Sequence, residues 1–169
     1  MISDRDERWT FGNSLNVENP DMGDFERNTL YSTITLTKNG DPYTPTQSNW
    51  VLASIPTPNA TKGWKISSVM LRYTIIGKPG IIDKVVLRDG DLELYSFENL
   101  TVGPISGWQT LTLPLPEPKA FQFGLGVGIH VVFLDYFFDC GSADFRFASV
   151  GLEFIKESSI VPPKEFLTP

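Results

Sequence analysis

Cysteine and histidine are almost missing from this 169-residue chain, which holds a single example of each, Cys140 and His130. One cysteine excludes an internal disulfide framework and any zinc site built from several thiolates. One histidine leaves a single candidate for a triad base and no pair for a two-histidine metal site. Long apolar runs are also absent. The longest, around residues 131–138, is interrupted by Asp135 and falls far short of the roughly 20 residues that cross a bilayer as a helix. The first residues are charged from Asp4 onward and lack the basic start and apolar stretch of a secretory signal. The expectation is a soluble, cytoplasmic protein with no membrane partner. No cluster of Lys and Arg interleaves with aromatics, so nucleic acid is not an expected partner either.

What is present points to one class of fold. The chain is 41% hydrophobic and 20% charged, with 14 Gly and 13 Pro, a composition that folds but turns often. At this length a single domain, 1–169, can bury most of its apolar surface without staples. Net charge is −6, and residues 1–28 hold seven acids against three bases, marking an acidic N-terminal segment. Residues 157–169 lose alternation around Pro162 and Pro163 and read as an extended tail.

Period-two alternation recurs along the chain, whereas helical spacing is never sustained. Strands are expected over residues 9–13, 30–37, 50–55, 66–76, 83–88, 92–97, 108–113, 121–134 and 143–155. Gly, Pro, Asn and Asp separate them, including the stretches 39–42, 56–59, 78–80, 103–104 and 114–118. No separator is long enough for a crossover helix, so the pairing should be antiparallel. The expected fold is all-β with little helix: a two-sheet, jelly-roll-like sandwich of about nine strands. Asp89-Gly90-Asp91 is the clearest hairpin signal, with Val85 and Leu87 facing the core.

Residues 121–134 have two contrasting faces. Phe121, Phe123, Leu125, Val127, Ile129, Val131 and Phe133 form an apolar face assigned to the core. Opposite them stand Gln122, Gly124, Gly126, Gly128 and His130. Glycines in a strand mark a bend, a bulge or a close approach, here either coiling of a long strand or a flat strip covered by an aromatic, the tail or another subunit. The strip is not a phosphate-binding loop, since no helix follows it. His130, Gly124, Gly126 and Gly128, together with Phe166 and Leu167 of the tail, are therefore candidate interface residues. Cys140 reads as structural. Asp135, Asp139 and Asp144 flank one turn and Asp83, Asp89 and Asp91 bracket another, but neither group has the spacing of an EF-hand, so no metal or other cofactor is expected. The sequons at Asn59 and Asn99 are read as chance.

Trp9, Trp50, Trp64 and Trp108 each stand at the start of an expected strand. Tryptophan there usually closes the end of a sandwich core. The sharper alternative is a platform for a sugar ring, with indole stacking on the pyranose and nearby polar groups holding its hydroxyls. Trp64, Trp108, Asp89 and Asp91 are the candidate ligand contacts.

Four segments, residues 50–58, 85–90, 111–114 and 123–129, resemble an uncharacterised microbial family of small β-sandwich domains, across roughly residues 50–154. The resemblance implies the fold and assigns no activity. The stretch Gly107-Trp108-Gln109-Thr110-Leu111 before a long penultimate strand is similar to jelly-roll carbohydrate-binding modules, which implies a glycan partner. With no catalytic constellation in view, the expectation is a non-enzymatic binding or interaction domain. A carbohydrate-binding module and a self-associating, homo-oligomeric subunit are the alternatives.

Overall fold

The computed structural model describes residues 5–38, 47–58, 63–77, 80–134 and 141–156. In chain order its strands are β1 (Arg5–Phe11), β2 (Asn16–Val17), β3 (Asp24–Arg27), β4 (Ser32–Lys38), β5 (Ser48–Ile55) and β6 (Trp64–Ile76). They continue with β7 (Gly80–Asp89), β8 (Leu92–Phe97), β9 (Ile105–Lys119), β10 (Leu125–Phe133) and β11 (Gly141–Lys156). One turn of 3-10 helix, Gly12–Ser14, is the sole helical element among the described residues.

Two antiparallel sheets face each other, as the alternation predicts. The first runs β3-β4-β11-β6-β9, with β1 also paired to β11, and the second runs β2-β5-β10-β7-β8. Eleven strands replace the expected nine. The two additions are β2 and β3, which are too short and too exposed to carry a readable alternation.

Strand β11 is the spine of the first sheet. On one side it pairs with β6 along nearly its whole length; on the other it pairs first with β4, then with β1. An irregularity between Phe147 and Ser149 exchanges its faces, so Ala143, Phe145 and Phe147 point inward before it and Val150, Leu152 and Phe154 after it. β6 makes a matching exchange at Ser67, passing from buried Ile66 to buried Val69, Leu71, Tyr73 and Ile75. Glu153 fixes that kink by accepting hydrogen bonds from the Ser67 hydroxyl at 2.8 Å and the Ser68 hydroxyl at 3.2 Å. Between the sheets, Val51, Val85, Leu87, Val127 and Ile129 of the second sheet meet Phe145, Phe147, Leu152 and Phe154 of the first, all essentially inaccessible to water. Each such side chain stabilises the fold by about 1.5–3 kcal/mol. The Thr10 hydroxyl donates to the Ser54 carbonyl and ties the two layers at one edge.

Three local expectations are corrected. Residues 114–118 are part of β9 and not a separator, because β9 closes one side of the first sheet and its prolines recur at every second position. Pro114, Pro116 and Pro118 are exposed while Leu113 and Leu115 point into the core, and Pro116 and Pro118 fall where the register with β6 shifts between the partners of Ser68 and Ile66, so no ladder donor is required of them. Phe123 is 67% exposed and lies before β10, which begins at Leu125. The first strand spans Arg5–Phe11, and Gly12 and Asn13 belong to the 3-10 turn. The hairpin at Gly90 forms as expected, with that glycine at φ 62°, and Val85 and Leu87 are buried. The tail 157–169 lies outside the described residues.

Candidate functional site

The outer face of the first sheet is where aromatic side chains gather. Trp9 and Phe11 alternate with the inward-facing Thr10 on β1, and their partners on β11 are Gly151 and Ser149. Gly151 has no side chain and the Trp9 indole lies directly over it, so a Cβ there would come within 2.7 Å of the ring. The next strand, β6, sets Arg72 beside Ser149 on one side and Thr110 of β9 on the other. β9 then leaves regular pairing between its partners for Tyr73 and Ile75. Gly107 takes φ 78° in that irregular stretch, a conformation glycine adopts freely, and the strand thereby presents Trp108 to the outer surface. Tyr31, just before β4, completes the group.

Tyr31 and Trp108 stand 5.4 Å apart between ring centres, tilted by 57°. They form the shared wall of two adjoining hollows. One, of about 730 Å³, is lined by Trp9, Phe11, Leu30, Arg72, Thr110 and Ser149 with the Tyr31–Trp108 pair. The other, of about 610 Å³, is lined by the same pair with Thr74, Ile76, Ile105, Ser106 and Arg146. Phe11 and Leu30 are more than 70% exposed, an unusual cost for large apolar side chains unless something covers them. The Arg146 guanidinium lies 5.7 Å from the Tyr31 ring centre and donates to Asp144 at 3.1 Å, while its Nε is buried with no partner among the described residues. The Trp9 indole N–H reaches Glu7 at 3.3 Å.

Of the predicted ligand contacts, only Trp108 lies in this groove. Trp64 starts β6 at its far end, roughly 33 Å along the strand from the Thr74 that flanks Trp108, and packs half-buried against the core. It plugs the sandwich. Asp89 and Asp91 belong to the β7–β8 turn on the other sheet. Asp89 is 3% exposed, and its two oxygens accept the backbone N–H groups of Gln122 at 2.6 Å and Phe123 at 2.7 Å. This corrects its assignment as a ligand contact: both acceptors are committed to holding a loop. Asp91 is exposed in the turn.

The glycine strip lies on the outer face of the second sheet. Trp50 and Leu52 of β5 lean over Gly128, whose Cβ would sit 3.3 Å from the indole, so a covering aromatic accounts for that position. Gly124 and Gly126 stay open and floor a trough of about 700 Å³ between Leu52 and Ser54 on one side and Val86 and Arg88 on the other. His130 stands beyond it, its Nδ1 2.7 Å from an Asp83 oxygen and its ring 4.8 Å from that of Trp50. Phe166, Leu167, Cys140, Asp135 and Asp139 lie outside the described residues.

No family model matches the chain. No curated protein matches it either. Some solved structures are similar to the chain at low identity. The chain is similar to a cyclase from Fischerella sp. TAU at 12% identity, with 89% of this chain and 90% of that one covered and a TM-score of 0.46. A cyclase from the same source in complex with 4-(1H-indol-3-yl)butan-2-one has 12% identity, coverage of 89% and 91%, and a TM-score of 0.44. The family 11 carbohydrate-binding module from Clostridium thermocellum, in complex with a β-1,3-1,4-mixed-linked tetrasaccharide, has 12% identity, coverage of 90% and 89%, and a TM-score of 0.38. The expectation of a domain without enzymatic activity is corrected by these findings, since cyclases stand among the similar structures. That expectation rested on missing histidines and thiols, which exclude particular chemistries and not catalysis as such.

Sequence reasoning missed Trp9 as a groove residue, and missed Tyr31, Arg72 and Arg146 altogether. The available signal was a lone cation amid apolar residues, as in Leu71-Arg72-Tyr73 and Phe145-Arg146-Phe147, which puts a charge at the centre of a sheet's outer face.

Proposed function

We propose that the groove on the first sheet binds carbohydrate. The observation that supports this reading most directly is the Tyr31–Trp108 pair, set as a common wall between two hollows lined also by the hydroxyl-bearing Ser106, Thr110 and Ser149. A pyranose has an apolar C–H face and a polar rim, and this wall offers the complement to both. Trp108 is 39% exposed, enough for a ring face to be reached from solvent. Two hollows in series suit an oligosaccharide of more than one residue.

The test is tryptophan fluorescence, followed by calorimetry, against a panel of soluble oligosaccharides. A saccharide that binds should perturb the emission, and Trp108→Ala should abolish the effect while leaving the urea midpoint almost unchanged. Trp64→Ala should do the reverse, lowering stability and keeping the binding. A panel that gives no response, or a response surviving Trp108→Ala, would remove the groove as the site.

A further inference from the structure

The groove carries a charge opposite to that of the chain. Net charge is −6, yet among the described residues the charged side chains lining the two hollows are two arginines, Arg72 and Arg146. Arg72 projects from β6, a strand paired on both sides, into the hollow between Phe11, Trp108 and Thr110. No hydrogen bond or ion pair joins it to another described residue. A cation there is not serving the sheet. Arg146 is held from one side only, through Asp144, which also accepts from the Thr35 hydroxyl, and its Nε lacks a partner. Arginine presents a planar fork of donors matched to the oxygens of a carboxylate or sulfate, and it is far less suited to a neutral hydroxyl.

We infer that the saccharide bound by the groove is acidic, bearing a carboxylate or sulfate ester that pairs with Arg72, which has no ionic or hydrogen-bond partner among the described residues, while its ring stacks on Trp108. Arg146 supplies a second cationic contact about the other hollow. This rests on the carbohydrate reading above and specifies its ligand class. Among the described residues that line the two hollows there are two guanidinium groups and no carboxylate; Asp144, which holds Arg146, and Glu7, which accepts from the Trp9 indole, lie beside the hollows, so Arg72 is the cation left for a ligand.

Oligogalacturonate and its methyl ester separate the two claims, because they differ in charge and hardly in ring chemistry. The native protein should bind the free acid roughly tenfold or more tightly than the ester, and should lose much of that margin as salt rises from about 50 to about 500 mM. Arg72→Met should remove the margin while keeping ester binding, and Trp108→Ala should remove both. A heparin-derived oligosaccharide in a parallel arm distinguishes sulfate from carboxylate, and a preference for either that depends on Arg72 supports the inference. Equal or tighter binding of the ester would overturn it and leave the carbohydrate reading standing. Binding of neither form, nor of any neutral saccharide, would overturn both. Should Arg72→Met fail to fold, the acid-against-ester comparison on the native protein still decides.

Discussion

Replacing Asp89 by alanine removes two hydrogen bonds at once from a carboxylate that is 3% exposed. A hydrogen bond to a charged partner contributes about 1.5–3 kcal/mol net. The amides concerned are adjacent, and the Gln122 and Phe123 side chains are themselves exposed, so water can partly replace the lost acceptor. The lower end of the range applies, and a loss of about 3 kcal/mol is expected for the pair. In a chain of this size each kcal/mol moves Tm by roughly 2–4 °C, which gives a fall of roughly 6–12 °C. Asp89→Asn keeps one acceptor but turns an amide donor toward the second N–H, and should recover little. Asp91→Ala, in the same turn but exposed, should stay within about 0.5 kcal/mol of the native protein. Urea and thermal unfolding measure these differences, and hydrogen exchange at the Gln122 and Phe123 amides should accelerate selectively in the Asp89 variants. If Asp89→Ala and Asp91→Ala unfold within about 1 kcal/mol of each other, the loop-clamp account is wrong.

Phe145→Ala empties a fully buried site on β11 and should cost about 3–5 kcal/mol in urea unfolding. Gly107→Ala meets no neighbour within 4 Å but forces an alanine to φ 78°; about 1 kcal/mol of strain is expected, together with weakened saccharide quenching as Trp108 is re-aimed. Hydrogen bonds from Lys84 and Ser96 hold the Glu98 carboxyl below its ordinary range, and the Glu98 bond raises Lys84 above its own. A depressed carboxylate stabilises the fold above its unfolded pKa and loses that contribution as pH falls through the folded value. Lys84→Met should therefore move the Glu98 titration, followed by NMR, upward toward the ordinary range.

Strands whose two faces differ were readable from sequence almost to the residue. Residues 92–97 needed no revision, and β5 and β6 begin only two residues ahead of expectation. The misreadings share a cause: a breaker was judged without knowing where its strand sits. Pro114, Pro116 and Pro118 end a central strand but suit an outermost one, and sheet order is not written locally. Asp89 and Asp91 are two positions apart and chemically identical, yet the fold buries one against residues more than thirty positions later. The groove was legible only at Trp108. Arg72, Arg146 and Trp9 come from three separate strands and Tyr31 from the segment before a fourth, and the meeting of the strand residues depends on the register of β11 with β6 and β1.

The proline spacing of β9 has a consequence for what can grow onto this molecule. A strand arriving alongside Pro114, Pro116 and Pro118 would find no N–H donor at any of the three, in a stretch whose register with β6 is itself irregular. Farther along the same border, the irregular stretch between the partners of Tyr73 and Ile75 breaks the spacing that a template requires. The first sheet is thus sealed along β9 against fibril-like stacking and against ligands that bind as an extra strand. Recognition on this side of the molecule is left to side chains on the face of the sheet.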